Sequence, residues 1–277
     1  MRERIILAAA VTLMALAAIG TTIWRYERST TEPEPAAANA LPVPPFPPRI
    51  ASGETYEHCL SILADDPEAG RAIADNWAAT GGGDGAAHCQ GLALIATGQP
   101  ALGAERLEGL GKTSLAPDLA RATVLAQAAQ ARLMANQPAR ARDDVTMALA
   151  LSPADTELLI QRAEAAAALS RWDDAVADLT RALTLDPRRT DALVMRAAVW
   201  RRTGQLDKAL TDVNRAIAMD ADNAEALLER GIERQRLGDA PGARADWQRA
   251  KGLDPNSTTA DLAEQNLALL EAGPNQR

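Results

Sequence analysis

Aromatic residues make up only 3% of this 277-residue chain, although hydrophobic residues make up 47%. Alanine and leucine must therefore supply most of the apolar surface. That excludes a β-sandwich, whose packed sheets draw on β-branched and aromatic side chains. It favours helix on helix, because alanine is the best helix former and its small side chain lets helices approach closely. Histidine and cysteine are almost missing, at two each, paired as His58-Cys59 and His88-Cys89. There is no Cys-x-x-Cys motif, so catalytic disulfide exchange is not expected. No Gly-x-Ser-x-Gly occurs, and no carboxylate pair stands out from the charged helix faces. No catalytic set is visible, and neither a cofactor nor a small-molecule substrate is expected. The net charge is −8 with no basic cluster, which leaves no footprint for nucleic acid. The glycine run Gly81-Gly82-Gly83-Asp84-Gly85 lacks the following Lys-Ser/Thr of a phosphate cradle and reads as a loop.

The one long charge-free apolar run spans Ile5 to Trp24. Twenty residues at a helical rise of about 1.5 Å reach about 30 Å, the thickness of a bilayer's hydrocarbon core. Trp24 and Tyr26 sit where interfacial aromatics belong. The reading is a single transmembrane helix through residues 5–24. The alternative is a secretory signal cleaved after the small residues around Gly20, leaving a periplasmic protein. Arg2 and Arg4 before the run nearly balance Arg25 and Arg28 after it, so charge alone does not orient it. Both cysteines lie beyond it, and an isolated pair fits one disulfide in an oxidising compartment. The Arg-over-Lys, Ala-rich usage suggests a bacterium with a GC-rich genome. The expected location is thus the inner membrane, with the body in the periplasm. Residues 29–50, rich in proline up to Pro44-Pro45-Phe46-Pro47-Pro48, form a semi-rigid linker after the anchor segment 1–28.

Beyond the linker the chain repeats itself. Pro153 and Pro187 lie 34 residues apart and Pro255 lies 68 further on, with Ala221 at the intermediate position. The same period joins Ala141, Ala175, Ala209 and Ala243, and likewise Leu125, Leu159, Leu193 and Leu227. Ala129, Ala163, Ala197 and Gly231 form a third column. Together these columns resemble the tetratricopeptide repeat, four copies of it in 122–255. The departures are Asn136 and Ser170 in place of the turn glycine, and Ala221 in place of the closing proline. The resemblance implies antiparallel helix pairs stacked into an all-α, right-handed superhelical solenoid with a concave inner surface. Upstream, 51–121 holds degenerate repeats: Gly91, Gly98, Gly103, Leu107 and Leu110 match Ala129, Asn136, Ala141, Val145 and Ala148 at an offset of 38. The four extra residues are expected in a longer turn around Lys112 to Pro117. Helices are expected at 54–64 and 67–79, and a capping helix, Thr258 to Ala272, lies in 256–277.

Three constellations invite a functional reading. Cys59 and Cys89 fall on first helices of adjacent units, which suits a disulfide. Free thiols and a metal site using both His-Cys pairs remain alternatives, the last against the roughly 100° divergence of neighbouring helical residues. Arg162, Arg196 and Arg230 each precede Asp178, Asp212 and Asp246 by 16 residues. Such spacing places the partners on opposite helices of one hairpin, and an Arg–carboxylate pair holding the two in register is the better reading over a basic ligand ladder. Trp172, Trp200 and Trp247 occupy core columns and read as packing.

The resemblance also implies where ligands lie, along the first helices. On that face Gln130, Gln161, Glu164, Arg201, Arg202, Glu229, Gln235 and Arg236 are expected to form a partner-binding groove. The clamp with which one family subtype grips a C-terminal carboxylate would fall on Ala126, Gln130, Gln161, Asp191 and Met195, which lack its Lys, Asn and Arg. The expected function is a membrane-tethered, non-enzymatic scaffold that binds a peptide segment of an envelope protein. The alternative is a metal- or haem-handling factor in cytochrome maturation, acting through the His-Cys pairs.

Overall fold

The computed structural model describes residues 49–272, so the expected membrane segment 5–24 and most of the proline-rich linker lie outside the described residues. Thirteen helices and no strand occur among the described residues. The first pair is α1 (Glu54–Asp65) and α2 (Pro67–Ala79), the second α3 (Gly83–Ala96) and α4 (Pro100–Thr113). Four regular pairs follow: α5 (Asp118–Met134) with α6 (Pro138–Leu151), α7 (Thr156–Ala168) with α8 (Trp172–Leu185), α9 (Thr190–Arg202) with α10 (Leu206–Met219), and α11 (Ala224–Arg236) with α12 (Ala240–Leu253). The last helix, α13 (Thr258–Ala272), packs across α11 and α12 as the expected cap. None of these helices is long and apolar enough to cross a membrane.

Local chemistry sets the element boundaries. Pro67, Pro100, Pro138 and Pro241 sit in first turns, where a missing backbone donor costs nothing. The side chains of Asp66, Asp155, Asn223 and Asp239 accept from first-turn amides. Each first helix of the regular units ends in a left-handed residue: Asn136 at φ 55°, Ser170 at 57°, Gly204 at 76° and Gly238 at 85°. The next amide then reaches back to the last turn, as Arg171 N–H does to the Ala166 carbonyl at 2.9 Å. Second helices end at an extended residue, Ser152, Asp186, Asp220 or Asp254. Three of these precede proline, which disfavours the α region. Asp220 adopts the same conformation before Ala221, so the stop does not depend on proline.

Two boundaries differ from expectation. The extra four residues upstream do not lengthen a turn. They add one turn to the start of α5, which has 17 residues where α7, α9 and α11 have 13. The glycine run is a loop only up to Gly82. Gly83 opens α3, and a β-carbon at Gly82 or Gly85 would fall 2.6 Å from the Trp77 indole. At the linker's end, Ile50 is buried in the first core cluster and Arg49 pairs with Glu57 at 2.8 Å.

The alanine columns are the seams of the stack. Ala129, Ala163 and Ala197 on first helices and Ala141, Ala175, Ala209 and Ala243 on second helices are all essentially fully buried. From α5 onward, first helices of successive units also touch one another, whereas second helices of successive units meet only marginally. First helices therefore line the inner side of this α-solenoid.

Candidate binding surface

The arginine–aspartate columns set the geometry of each hairpin. Arg162 on α7 donates through Nε and Nη2 to both carboxylate oxygens of Asp178 on α8, at 2.8 and 2.7 Å. Arg196 and Asp212 repeat this at 2.8 and 2.8 Å. So do Arg230 and Asp246 at 2.9 and 2.7 Å. A planar guanidinium held at two points fixes both the distance and the rotation of one helix against the other. These arginines are engaged within the fold.

The first regular unit solves the same problem differently. Its Asp144 faces no arginine in that column, where Ala128 stands; instead the fully buried Arg132 lies 3.7 Å away. Arg132 shares its column with Arg234, which also reaches Asp246, at 2.7 Å. Arg132 Nη1 donates to Gln137 and Nη2 to Glu108, each at 2.9 Å. Burial and the Glu108 charge push the Asp144 carboxyl up to about 7, against the pull of Arg132.

On the inner face, the eight expected groove residues fall into three groups. Gln130, Gln161 and Glu164 line one cleft between α5 and α7, about 520 Å³ in volume, together with Leu133, Met134 and Glu157. Arg202, Gln235 and Arg236 lie further along; Arg202 and Arg236 are exposed and Gln235 is half-buried. Arg201 and Glu229 are not free groove residues. Arg201 Nε donates to Glu229 at 2.5 Å across α9 and α11, and Glu229 is buried. The adjacent turn of α11 brings Glu233 into the same cluster, fully buried, with neither carboxylate oxygen hydrogen-bonded and the Arg201 guanidinium 3.5 Å away. Burial and the Glu229 charge push the Glu233 carboxyl up to about 7.

The other end carries the cysteines. Cys59 on α1 and Cys89 on α3 form a disulfide, with Cα atoms 6.5 Å apart. His88 is buried beside it, its Nδ1 2.6 Å from the Tyr56 hydroxyl and its Nε2 2.7 Å from Gln127 Oε1. The neutral ring donates from Nε2 to the amide oxygen and accepts at Nδ1 from the phenol. Burial pushes His88 down to about 4. His58 is exposed, turned away from the face of its helix that buries Cys59. The two His-Cys pairs thus do not converge: both thiols are oxidised and both nitrogens of His88 are engaged. Among the described residues no group of three or more His, Cys, Asp or Glu is placed to hold a metal ion.

The tryptophan columns pack as expected: Trp247 is fully buried and Trp172 and Trp200 are half-buried against core clusters. Trp247 Nε1–H donates to the Leu228 carbonyl at 3.1 Å. Regular two-helix units with a 34-residue period, small-residue seams, left-handed first-helix caps and a capping helix now stand together. Solved structures share this overall fold. The chain is similar to MamA at 17% identity, over 60% of this chain and 94% of that one, with a TM-score of 0.51. It is similar to TTC0263, a thermophilic tetratricopeptide-repeat protein from Thermus thermophilus, at 20% identity, over 68% of this chain and 99% of that one, with a TM-score of 0.55. This chain folds as a tetratricopeptide-repeat array. No family model and no curated protein matches it in sequence.

Sequence columns missed four residues of this surface. Arg132 and Glu233 are buried groups that each meet an opposite charge from the preceding unit, Glu108 and Arg201. Met134, 57% exposed, is the apolar edge of the inner cleft. Gln127 on α5 holds His88 on α3. The shared column of Arg132 and Arg234, and the four-residue spacing of Glu229 and Glu233, were the available signals.

Proposed function

We propose that this tetratricopeptide array is a non-enzymatic scaffold that holds a peptide segment of a partner protein along its first helices. The observation that carries the reading is the inner cleft between α5 and α7, where Gln130, Gln161 and Glu164 stand beside an exposed methionine, Met134. Polar groups set among apolar ones are what an extended or helical peptide needs for register and affinity. The apolar run of residues 5–24 supports tethering at the inner membrane, and the Cys59–Cys89 bridge supports a periplasmic body. Both belong to the proposal.

The test is to tag the full-length chain at its C-terminus, cross-link in native membranes and identify what co-purifies. Arg202→Glu and Arg236→Glu change exposed first-helix positions without touching the core. The proposal expects a reproducible envelope partner whose recovery falls with these variants, and a Cys59–Cys89 pair protected from alkylation until reduced. A partner retained equally by the variants, or lost only when second-helix positions are changed, would contradict it.

A further inference from the structure

We propose that the α5–α7 cleft receives a cationic side chain, lysine or arginine, of a peptide whose neighbouring residues are apolar. The inference rests on the peptide-binding reading above and names the chemistry of one subsite. Its polar lining consists of carboxylates and amides, with no cation. Glu157 is already shared with Arg189, whose Nη2 lies 2.6 Å from it, and Arg189 is further held by Asp191 and Thr156. Glu164 has no such partner and is exposed at the cleft. Gln161 also lines the cleft, and its side-chain oxygen is buried with no donor. A buried acceptor without a donor is costly, so an incoming N–H gains more here than at a wet surface. Leu133 and Met134 supply the apolar wall along which a long aliphatic stem lies while its charged head reaches the acceptors. An acidic side chain would meet Glu164 and Glu157 and bring no donor to Gln161. At about 520 Å³ the cleft is within the roughly 300–1,000 Å³ range of ligand sites.

The same columns show why this subsite does not recur along the regular units. The Met134 position recurs as Ala168, Arg202 and Arg236, and the Gln130 position as Glu164, Ala198 and Ile232. Among the regular units described, the α5–α7 cleft is where these two columns combine an apolar edge with acceptors rather than an arginine.

The experiment uses the full-length chain carrying methyl-labelled methionine, with the Met134 signal assigned by Met134→Leu. The probes are three blocked heptapeptides of sequence Gly-Ala-Leu-X-Leu-Ala-Gly, where X is arginine, its neutral isostere citrulline, or glutamate. The arginine peptide is expected to shift the Met134 signal saturably, and citrulline to bind about tenfold more weakly, the scale of one charge-assisted hydrogen bond. Glu164→Gln, an exposed change that leaves the core intact, should erase most of that difference, and Gln161→Leu should weaken the arginine peptide alone. Equal or tighter binding of the citrulline or glutamate peptide at Met134 would overturn the cationic assignment while leaving the groove in use. No shift at Met134 with any probe would overturn the subsite itself. The cross-linking of the Arg202→Glu and Arg236→Glu variants then decides separately whether the groove reading stands.

Discussion

At the scale of single residues, the array departs from its own repeat wherever a neighbour compensates. Trp247 stands where Val145, Leu179 and Val213 stand in the other units, and Gly231 faces it where the others have alanine. A β-carbon on Gly231 would collide with the indole. Gly231→Ala should therefore cost about 1–3 kcal/mol by overpacking. In a Trp247→Leu background the cost should nearly vanish, since Leu179 already packs in a unit with Ala163. A double-mutant cycle in urea measures the coupling. Ser170 makes the opposite case: it holds φ 57° where glycine is unstrained. Ser170→Gly should raise stability by up to about 1 kcal/mol, read as a higher urea midpoint. Asn136→Gly should gain less, because asparagine tolerates this conformation better.

Buried titratable groups make a pH prediction at the same scale. Glu233 titrates near 7 folded against 4.5 as its ordinary value. Between those values the folded chain keeps a proton that the unfolded chain has lost, so this group's contribution falls as pH rises through the window. His88 acts in the opposite sense: lowered from 6.5 to about 4, it withdraws stability as pH falls through that window. Glu233→Gln should stabilise the chain at pH 8 and leave the decline toward acid set by His88. Melting temperatures of the two proteins from pH 4 to 8 check this; parallel curves would refute it.

At the scale of the helix pair, much was legible in the sequence and some was hidden for definite reasons. Period, seams and the three Arg–Asp clamps follow from residues on one hairpin, whose spacing is fixed by the chain. Glu229 was misplaced because its partner Arg201 comes from the preceding unit, and one hairpin's columns do not say which outward position the next stack covers. The longer α5 was invisible because four residues are nearly one turn of about 3.6. The insertion keeps every face in phase, so a helical turn and a longer loop give the same columns. The inner cleft was legible as residues Gln130, Gln161 and Glu164, but its apolar edge, Met134, reads in isolation as the end of a helix.

At the scale of the whole molecule, the two ends are built differently. The seams repeat from α5 to α12 and the clamps from α7 to α12; at the start, α1 and α2 rest on a disulfide, the buried Tyr56–His88–Gln127 chain and a separate core cluster. The Cys59–Cys89 bridge, 30 residues apart, contributes about 3.5 kcal/mol in the chain-entropy account. Because units of a solenoid couple mainly to their neighbours, reduction should loosen α1–α4 first and leave later units protected. Hydrogen exchange with and without reductant reads this directly; uniform loss of protection along the array would show that it unfolds as one block.

The central claim is that the face of the first helices does the binding. The most direct measurement places a photo-cross-linking amino acid, in the full-length chain and in its native membrane, at Gln130 or Arg202 on that face, or at Gln248 on the second helix α12. The account predicts that Gln130 and Arg202 capture the same partner and that Gln248 does not. Capture from Gln248 alone would place recognition on the outer surface and contradict the account.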